Sequence, residues 1–152
     1  MIIHTSGIFS DNAGGYASII FHNNKAIHVT VGQGSTSLLQ MQLLAVIEGI
    51  KLGLMYLQKG DLIQLSTDSR EVFENCENLP MLFKTRFVGL RNVSMLHELY
   101  SVMKIAGDRL YVEYSENEYT RNAANLASRM SMSDYCYNPD SYPNTKTGIQ
   151  IK

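Results

Sequence analysis

The sequence predicts an α/β fold: a mixed five-stranded sheet, three antiparallel strands followed by parallel strands, with helices on both faces. Three observations carry this. The chain opens on three short β-rich runs joined by turn signals. The apolar period then lengthens from two to between three and four. Two further β-rich runs follow, each set off from the preceding strand by a helical stretch. Strands joined by tight turns form an antiparallel meander, whereas strands separated by helices run parallel to a neighbour.

Residues 1–9 alternate loosely and read as the first strand. Asp11-Asn12-Ala13-Gly14-Gly15 is a turn cluster, and Tyr16 to Phe21 is the second strand. His22-Asn23-Asn24-Lys25 signals a tight hairpin, because Asn tolerates positive φ. Ala26 to Val31 alternates as the third strand. Ser35-Thr36-Ser37 then offers an N-cap. Leu39, Leu43, Val46, Ile47, Ile50, Leu54 and Leu57 form the stripe of an amphipathic helix, with Gly60 as its C′ residue.

Leu62 to Thr67 reads as strand four, and Ser69 to about Asn75 as a short helix. Cys76 to Arg91 holds Pro80 and a mixed basic and apolar run without a clear period. Asn92 or Ser94 caps the next helix, which carries Val93, Leu96, Leu99, Tyr100 and Met103. Gly107-Asp108 turns into strand five, Leu110 to Tyr114. A last helix covers Tyr119 to Met130. The domain is expected over residues 1–130. Residues 131–152 read as a polar C-terminal tail without a period, bearing Tyr135, Tyr137 and Tyr142 for docking on a partner or on the domain itself.

Bulk properties narrow the function. A chain of 152 residues suits one domain with a sizeable core. A hydrophobic content of 45% and a charged content of 18% exclude a disordered or fibrous chain. The net charge of −1 argues against a strongly basic nucleic-acid binder but leaves room for a local basic patch. Cys76 and Cys136 form neither a disulfide framework nor a zinc pair, and the four histidines show no ligand spacing. The start of the chain reads as a strand rather than a signal peptide, and no unbroken apolar run reaches membrane-spanning length. These features lead to the expectation of an intracellular protein, cytoplasmic or nucleoid/nuclear, with reduced thiols.

Four motifs in order carry a resemblance. They are Thr5-Ser6-Gly7 with Gly14-Gly15-Tyr16-Ala17; Met41-Gln42-Leu43-Leu44-Ala45 leading into Gly49-Ile50 and Gly53-Leu54; Leu65-Ser66-Thr67-Asp68-Ser69; and Val112-Glu113-Tyr114-Ser115 followed by Arg121-Asn122-Ala123-Ala124-Asn125-Leu126-Ala127. Together they resemble ribonuclease H of type 1 and, more broadly, the ribonuclease H-like superfamily, over about Ile2 to Met130. The resemblance implies an enzyme that cleaves the RNA strand of an RNA–DNA hybrid using two Mg²⁺ ions held by four carboxylates. The matching positions are Ser6, Gln42, Asp68 and Ala124, so only Asp68 keeps the family's group. A helix-one asparagine that contacts nucleic acid in the family falls at Leu38, and the family's mobile histidine has no counterpart in Ser115-Glu116-Asn117-Glu118.

Two divalent ions about 4 Å apart need dense negative charge to offset their repulsion. Mg²⁺ sheds its waters reluctantly and favours charged oxygen ligands. A hydroxyl, an amide and a methyl group do not provide this. The chain therefore reads as a catalytically degenerate member, a pseudonuclease with no cofactor, acting in a protein assembly or a nucleic-acid-handling complex. Asp68 is then a single weak metal ligand or an N-cap for the following helix. Gln42 is expected to bond Ser6 and Asp68 in a neutral polar cluster. Lys84, Arg86 and Arg91 are the candidate nucleic-acid-binding residues, or an ordinary solvated face. The favoured partner is a protein, with an RNA–DNA hybrid or duplex as another and no membrane. One alternative is an active Mg²⁺-dependent ribonuclease H with ligands relocated to Asp11, Glu113 or Glu116; Glu48, six residues past Gln42, faces away. A second alternative is a nucleic-acid-binding domain without cleavage.

Overall fold

The computed structural model describes residues 1–34, 37–86, 92–131 and 146–151. Five strands and four helices follow the expected order. They are β1 (Ile2–Ser10), β2 (Ala13–His22), β3 (Lys25–Gly34), α1 (Leu38–Tyr56), β4 (Ile63–Thr67), α2 (Arg70–Lys84), α3 (Val93–Ala106), β5 (Leu110–Tyr114) and α4 (Glu118–Met130). A sixth strand, β6 (Lys146–Ile151), runs parallel to β3 and extends the sheet to the order β5-β4-β1-β2-β3-β6. This strand falls within residues 131–152, expected as a polar tail that docks on a partner or folds back on the domain. No alternating pattern announces β6; the free edge of β3 supplies its backbone partners. The three tail tyrosines and Cys136 lie outside the described residues.

Two tight turns set the meander. Asp11 and Asn12 both have positive φ (52° and 61°), as do Asn23 and Asn24 (53° and 63°). Paired positive φ is the signature of two-residue turns whose twist suits a hairpin, and Asn and Asp tolerate it. β1 pairs antiparallel with β2 along its whole length and parallel with β4, with Thr5 beside Thr67.

The two faces of β1 differ. Ile3 faces a core built from α1, α2 and α3, where Leu43, Ile47, Ile50, Leu65, Val72 and Leu99 are buried. His4 and Ser6 lie on the other face, which α4 covers in part with Ala123, Leu126 and Ala127 against Ala17, Ile19, Val29 and Val31. Both helices come close enough to the sheet to demand glycine. A Cβ on Gly7 would lie 2.5 Å from the Gln42 amide nitrogen, and one on Gly15 would lie 2.0 Å from the Ala127 carbonyl oxygen. These contacts fix the helices that carry positions 42 and 124.

Several boundaries differ from the sequence reading. The α1 cap is Ser37, whose hydroxyl accepts from the Gln40 amide, and the helix ends at Tyr56, so Gly60 (φ +87°) belongs to the following turn. α1 is long and apolar enough to cross a membrane, although Gln42 and Glu48 interrupt its apolar run; here it packs on the sheet with half of that stretch buried. α2 is twice the expected length and contains Pro80. Proline in a helix removes one backbone bond and costs about 3 kcal/mol. Burial of Val72, Cys76 and Leu79 along one stripe offsets that cost. Asn92 stands at the α3 cap position in the left-handed conformation without a capping bond; its Oδ1 accepts from Gln40 Nε2 at 2.6 Å.

Candidate functional site

The four positions matched by the motifs sit on four elements that the glycine contacts and strand pairing hold together. Ser6 is buried on β1. Asp68 follows the last residue of β4, one step beyond the Thr5–Thr67 pair, which places it beside Ser6. The Ser6 hydroxyl donates to Asp68 Oδ2 at 2.7 Å. Gln42 projects from the first half of α1, half-buried, and its Oε1 accepts from the Ser69 hydroxyl at 2.9 Å. Ala124 is half-buried on α4 and brings no polar group.

In place of the expected single cluster there are two bonded pairs, Ser6–Asp68 and Gln42–Ser69, joined through the adjacent residues Asp68 and Ser69. Among the described residues Gln42 bonds neither Ser6 nor Asp68; Ser69 is the residue it engages. Ser69 is also the α2 N-cap, its Oγ accepting from the Val72 amide at 3.2 Å. The capping role assigned from sequence to Asp68 therefore belongs to Ser69. The shift has a local cause: the Thr67 hydroxyl accepts from the Ser69 amide at 3.1 Å and turns the chain before the helix begins.

Asp68 is left with one free end. Its Oδ1 is buried and has no hydrogen-bond partner among the described residues. Burial pushes its carboxyl above the ordinary aspartate value, the Ser6 hydroxyl pulls it back, and the nearby Glu116 charge raises it further. A cavity of about 300 Å³ adjoins it, lined by Asp68, Glu116, Thr120 and Arg121. Around the rim, the Tyr114 hydroxyl donates to Glu116 Oε1 at 2.9 Å, and the Arg70 guanidinium lies 4.9 Å from the Tyr114 ring centroid.

Other acids do not rebuild a metal cage. Glu113 Oε1 accepts from Ser66 Oγ (2.8 Å) and Gln64 Nε2 (3.0 Å), on the same sheet face but further down the strands. Glu48 is buried and lies 3.7 Å from Lys51 Nζ, which also binds Glu98. Asp11 is in the β1–β2 turn. Among the described residues, no group of three or more His, Cys, Asp or Glu is placed to hold a metal ion. Asp68 and Glu116 supply two carboxylates, and Ser6, Gln42 and Ala124 supply no charge. The Mg²⁺ pair implied by the resemblance does not fit this donor set.

The basic residues lie at the far end of α2. Fifteen residues at 1.5 Å each put Lys84 about 22 Å from the Asp68 end of that helix. Lys84 and Arg86 line a mostly apolar cavity of about 520 Å³ with Phe83 and His97. The Phe83 ring stacks on Tyr100 with centroids 4.6 Å apart and meets His97 edge-on at 5.8 Å. Lys104 Nζ lies 5.6 Å from the Tyr100 ring centroid. Sequence reasoning found the two cations but missed the aromatic surface, because Phe83 and His97 meet only through the packing of α2 on α3. Arg91 lies outside the described residues.

No family model matches the chain, and no curated protein matches it in sequence. Solved structures do match in shape. A structure of the foamy viral protease-reverse transcriptase in complex with dsDNA aligns with a TM-score of 0.71 at 19% identity, covering 87% of this chain and 94% of that one. LC11-RNase H1 in complex with an RNA/DNA hybrid aligns at 0.65 and 15% identity, covering 86% and 95%. The native Prototype Foamy Virus protease-reverse transcriptase aligns at 0.68 and 17% identity, covering 90% of this chain but 21% of that much longer one. The fold is ribonuclease H-like.

Proposed function

We propose that this chain is a non-cleaving ribonuclease H-like module that holds nucleic acid within a larger assembly. The observation that carries this reading is the Ser6–Asp68 hydrogen bond at 2.7 Å. A hydroxyl donating to the remaining carboxylate occupies the bonding direction that a shared metal would need. It also replaces a negative ligand with a neutral one. Without a bimetallic clamp, no hydroxide forms near neutral pH and the leaving oxygen is not stabilised. We therefore assign no divalent cofactor.

Nucleic acid as the bound partner rests on the α2 end. Lys84 and Arg86 stand beside the Phe83 and His97 rings, so cations that pair with phosphate adjoin a surface able to stack on bases or sugars. The ~22 Å between this end and Asp68 corresponds to about six steps of a duplex at 3.4 Å each. The fold neighbours solved with duplexes support the same class of partner. A protein partner alone would make hybrid binding undetectable near 0.1 M salt.

The test is incubation of the full chain with a labelled RNA–DNA hybrid and Mg²⁺ or Mn²⁺. The expected result is binding without cleavage. A second reading, residual metal-dependent cleavage, is favoured by one feature: Glu116 stands across the cavity from the unpartnered Asp68 Oδ1. Cleavage that vanishes in Asp68→Asn would establish that reading and overturn ours.

A further inference from the structure

The packing of α2 on α3 leaves a corner of aromatic rings at the surface. Phe83 continues the stripe of Val72, Cys76 and Leu79 along α2, yet it is 43% exposed, although its ring lies on Tyr100. The His97 ring meets Phe83 at 78°, with centroids 5.8 Å apart. Both rings line the cavity of about 520 Å³ together with Lys84 and Arg86. That volume falls within the roughly 300–1,000 Å³ of small-ligand sites. No acid stands among its described lining residues, and Glu98, next to His97 in sequence, is engaged by Lys51.

The turn that ends α2 sets Arg86 beside these rings. The Thr85 amide donates to the Met81 carbonyl at 3.1 Å, and the Arg86 amide to the Phe83 carbonyl at 3.0 Å. Arg86 itself adopts φ 55°, the left-handed conformation that helix ends usually give to glycine. An arginine is thus kept where its backbone is strained, with its main chain tied to that of Phe83.

We propose that this corner is a subsite for one unpaired nucleobase, placed where a duplex lying toward Asp68 gives way to a single-stranded extension. The subsite rests on the nucleic-acid reading above and narrows it. Inside a duplex the base faces are stacked on one another, and a protein meets only edges, sugars and phosphates. A concavity walled by apolar rings has no counterpart on that surface. An unpaired base offers both of its faces and is commonly held on aromatic side chains. Laid flat on one of two rings that stand at 78°, it meets the other with its edge, and both arrangements are favourable between aromatic groups. The phosphates that flank it have Lys84 and Arg86 as neighbours, with Lys104 on the Tyr100 ring behind the stack.

Fluorescence anisotropy of the full chain at one fixed salt concentration compares three probes. They are a blunt RNA–DNA hybrid, the same hybrid with a short unpaired DNA extension, and the extended hybrid with abasic nucleotides in that extension. The abasic probe keeps every phosphate and removes only the bases. The base-bearing extension is expected to bind about fivefold or more tighter than the abasic one, the low end of what base–aromatic stacking contributes. Phe83→Leu, which keeps an apolar side chain, is expected to bring that ratio toward one, and Phe83→Tyr to retain it. Equal affinity for the two extended probes, with the blunt hybrid still bound, overturns the subsite and leaves the broader reading standing. A ratio that survives Phe83→Leu overturns the subsite as well. No binding of any probe overturns both.

Discussion

The Ser6 hydroxyl donates to Asp68 Oδ2 at 2.7 Å, while Oδ1 of the same carboxylate is buried without a hydrogen-bond partner among the described residues. One side of Asp68 is thus tied to the neighbouring strand and the other opens toward Glu116 and Arg121. Removing the tie has a direct consequence. Ser6→Ala is expected to raise the Asp68 pKa further and to lower stability by about 1–3 kcal/mol, the range for a buried polar group that loses its partner. Carboxyl-carbon NMR titration and urea unfolding read the two effects.

Asp68 also imposes a pH dependence of unusual sign. Its folded pKa is raised above the unfolded value of 3.8, chiefly by burial. Between those two values the folded state binds more protons than the unfolded one, so stability falls as pH rises through that window. The difference in urea midpoint between the protein and Asp68→Asn, measured from pH 3 upward, is expected to move in the variant's favour as pH rises. A constant difference would remove burial as the dominant influence.

His4 acts in the opposite direction. Its ring stacks on Tyr119 with centroids 4.9 Å apart, and Nδ1 is buried without a hydrogen-bond partner among the described residues. Burial lowers its pKa below 6.5, partly opposed by Glu113. The stability associated with the neutral ring is fully present above the unfolded pKa and is lost as pH falls through 6.5 toward the folded value. His4→Phe keeps an aromatic ring for Tyr119 and is expected to flatten the acid side of the stability profile below pH 6.5. Thermal melts from pH 5 to 8 measure this.

Gly15→Ala tests the seating of α4. The added Cβ would lie 2.0 Å from the Ala127 carbonyl oxygen, a contact that only backbone displacement relieves. A loss of about 1–3 kcal/mol is expected, or roughly 3–10 °C in Tm for a domain of this size. Differential scanning calorimetry provides the measurement.

Lys84→Ala with Arg86→Ala tests the proposed duplex grip. If each cation meets one phosphate, the slope of log K against log salt is expected to flatten by about 1.8 for the pair. Fluorescence anisotropy of a hybrid across a salt series gives that slope. An unchanged slope would move the contact surface away from the α2 end.

Much of this protein was legible in the sequence because the signals are local. Asn23-Asn24 announces a turn by its tolerance of positive φ, and the α1 stripe announces a buried helix by its period. The motif order was enough to put Ser6, Gln42, Asp68 and Ala124 forward as candidates, and their chemistry alone argues against two bound Mg²⁺ ions. The tertiary structure decided what period and spacing do not encode. It gave the α2 cap to Ser69 rather than Asp68, carried α2 past Pro80 because a buried stripe outweighs one lost backbone bond, and brought β6 to the edge of β3. It also joined Phe83 and His97 beside Lys84. Each of these depends on contacts between residues distant in sequence or on competition among neighbouring hydrogen bonds, and both are settled only when the chain is folded.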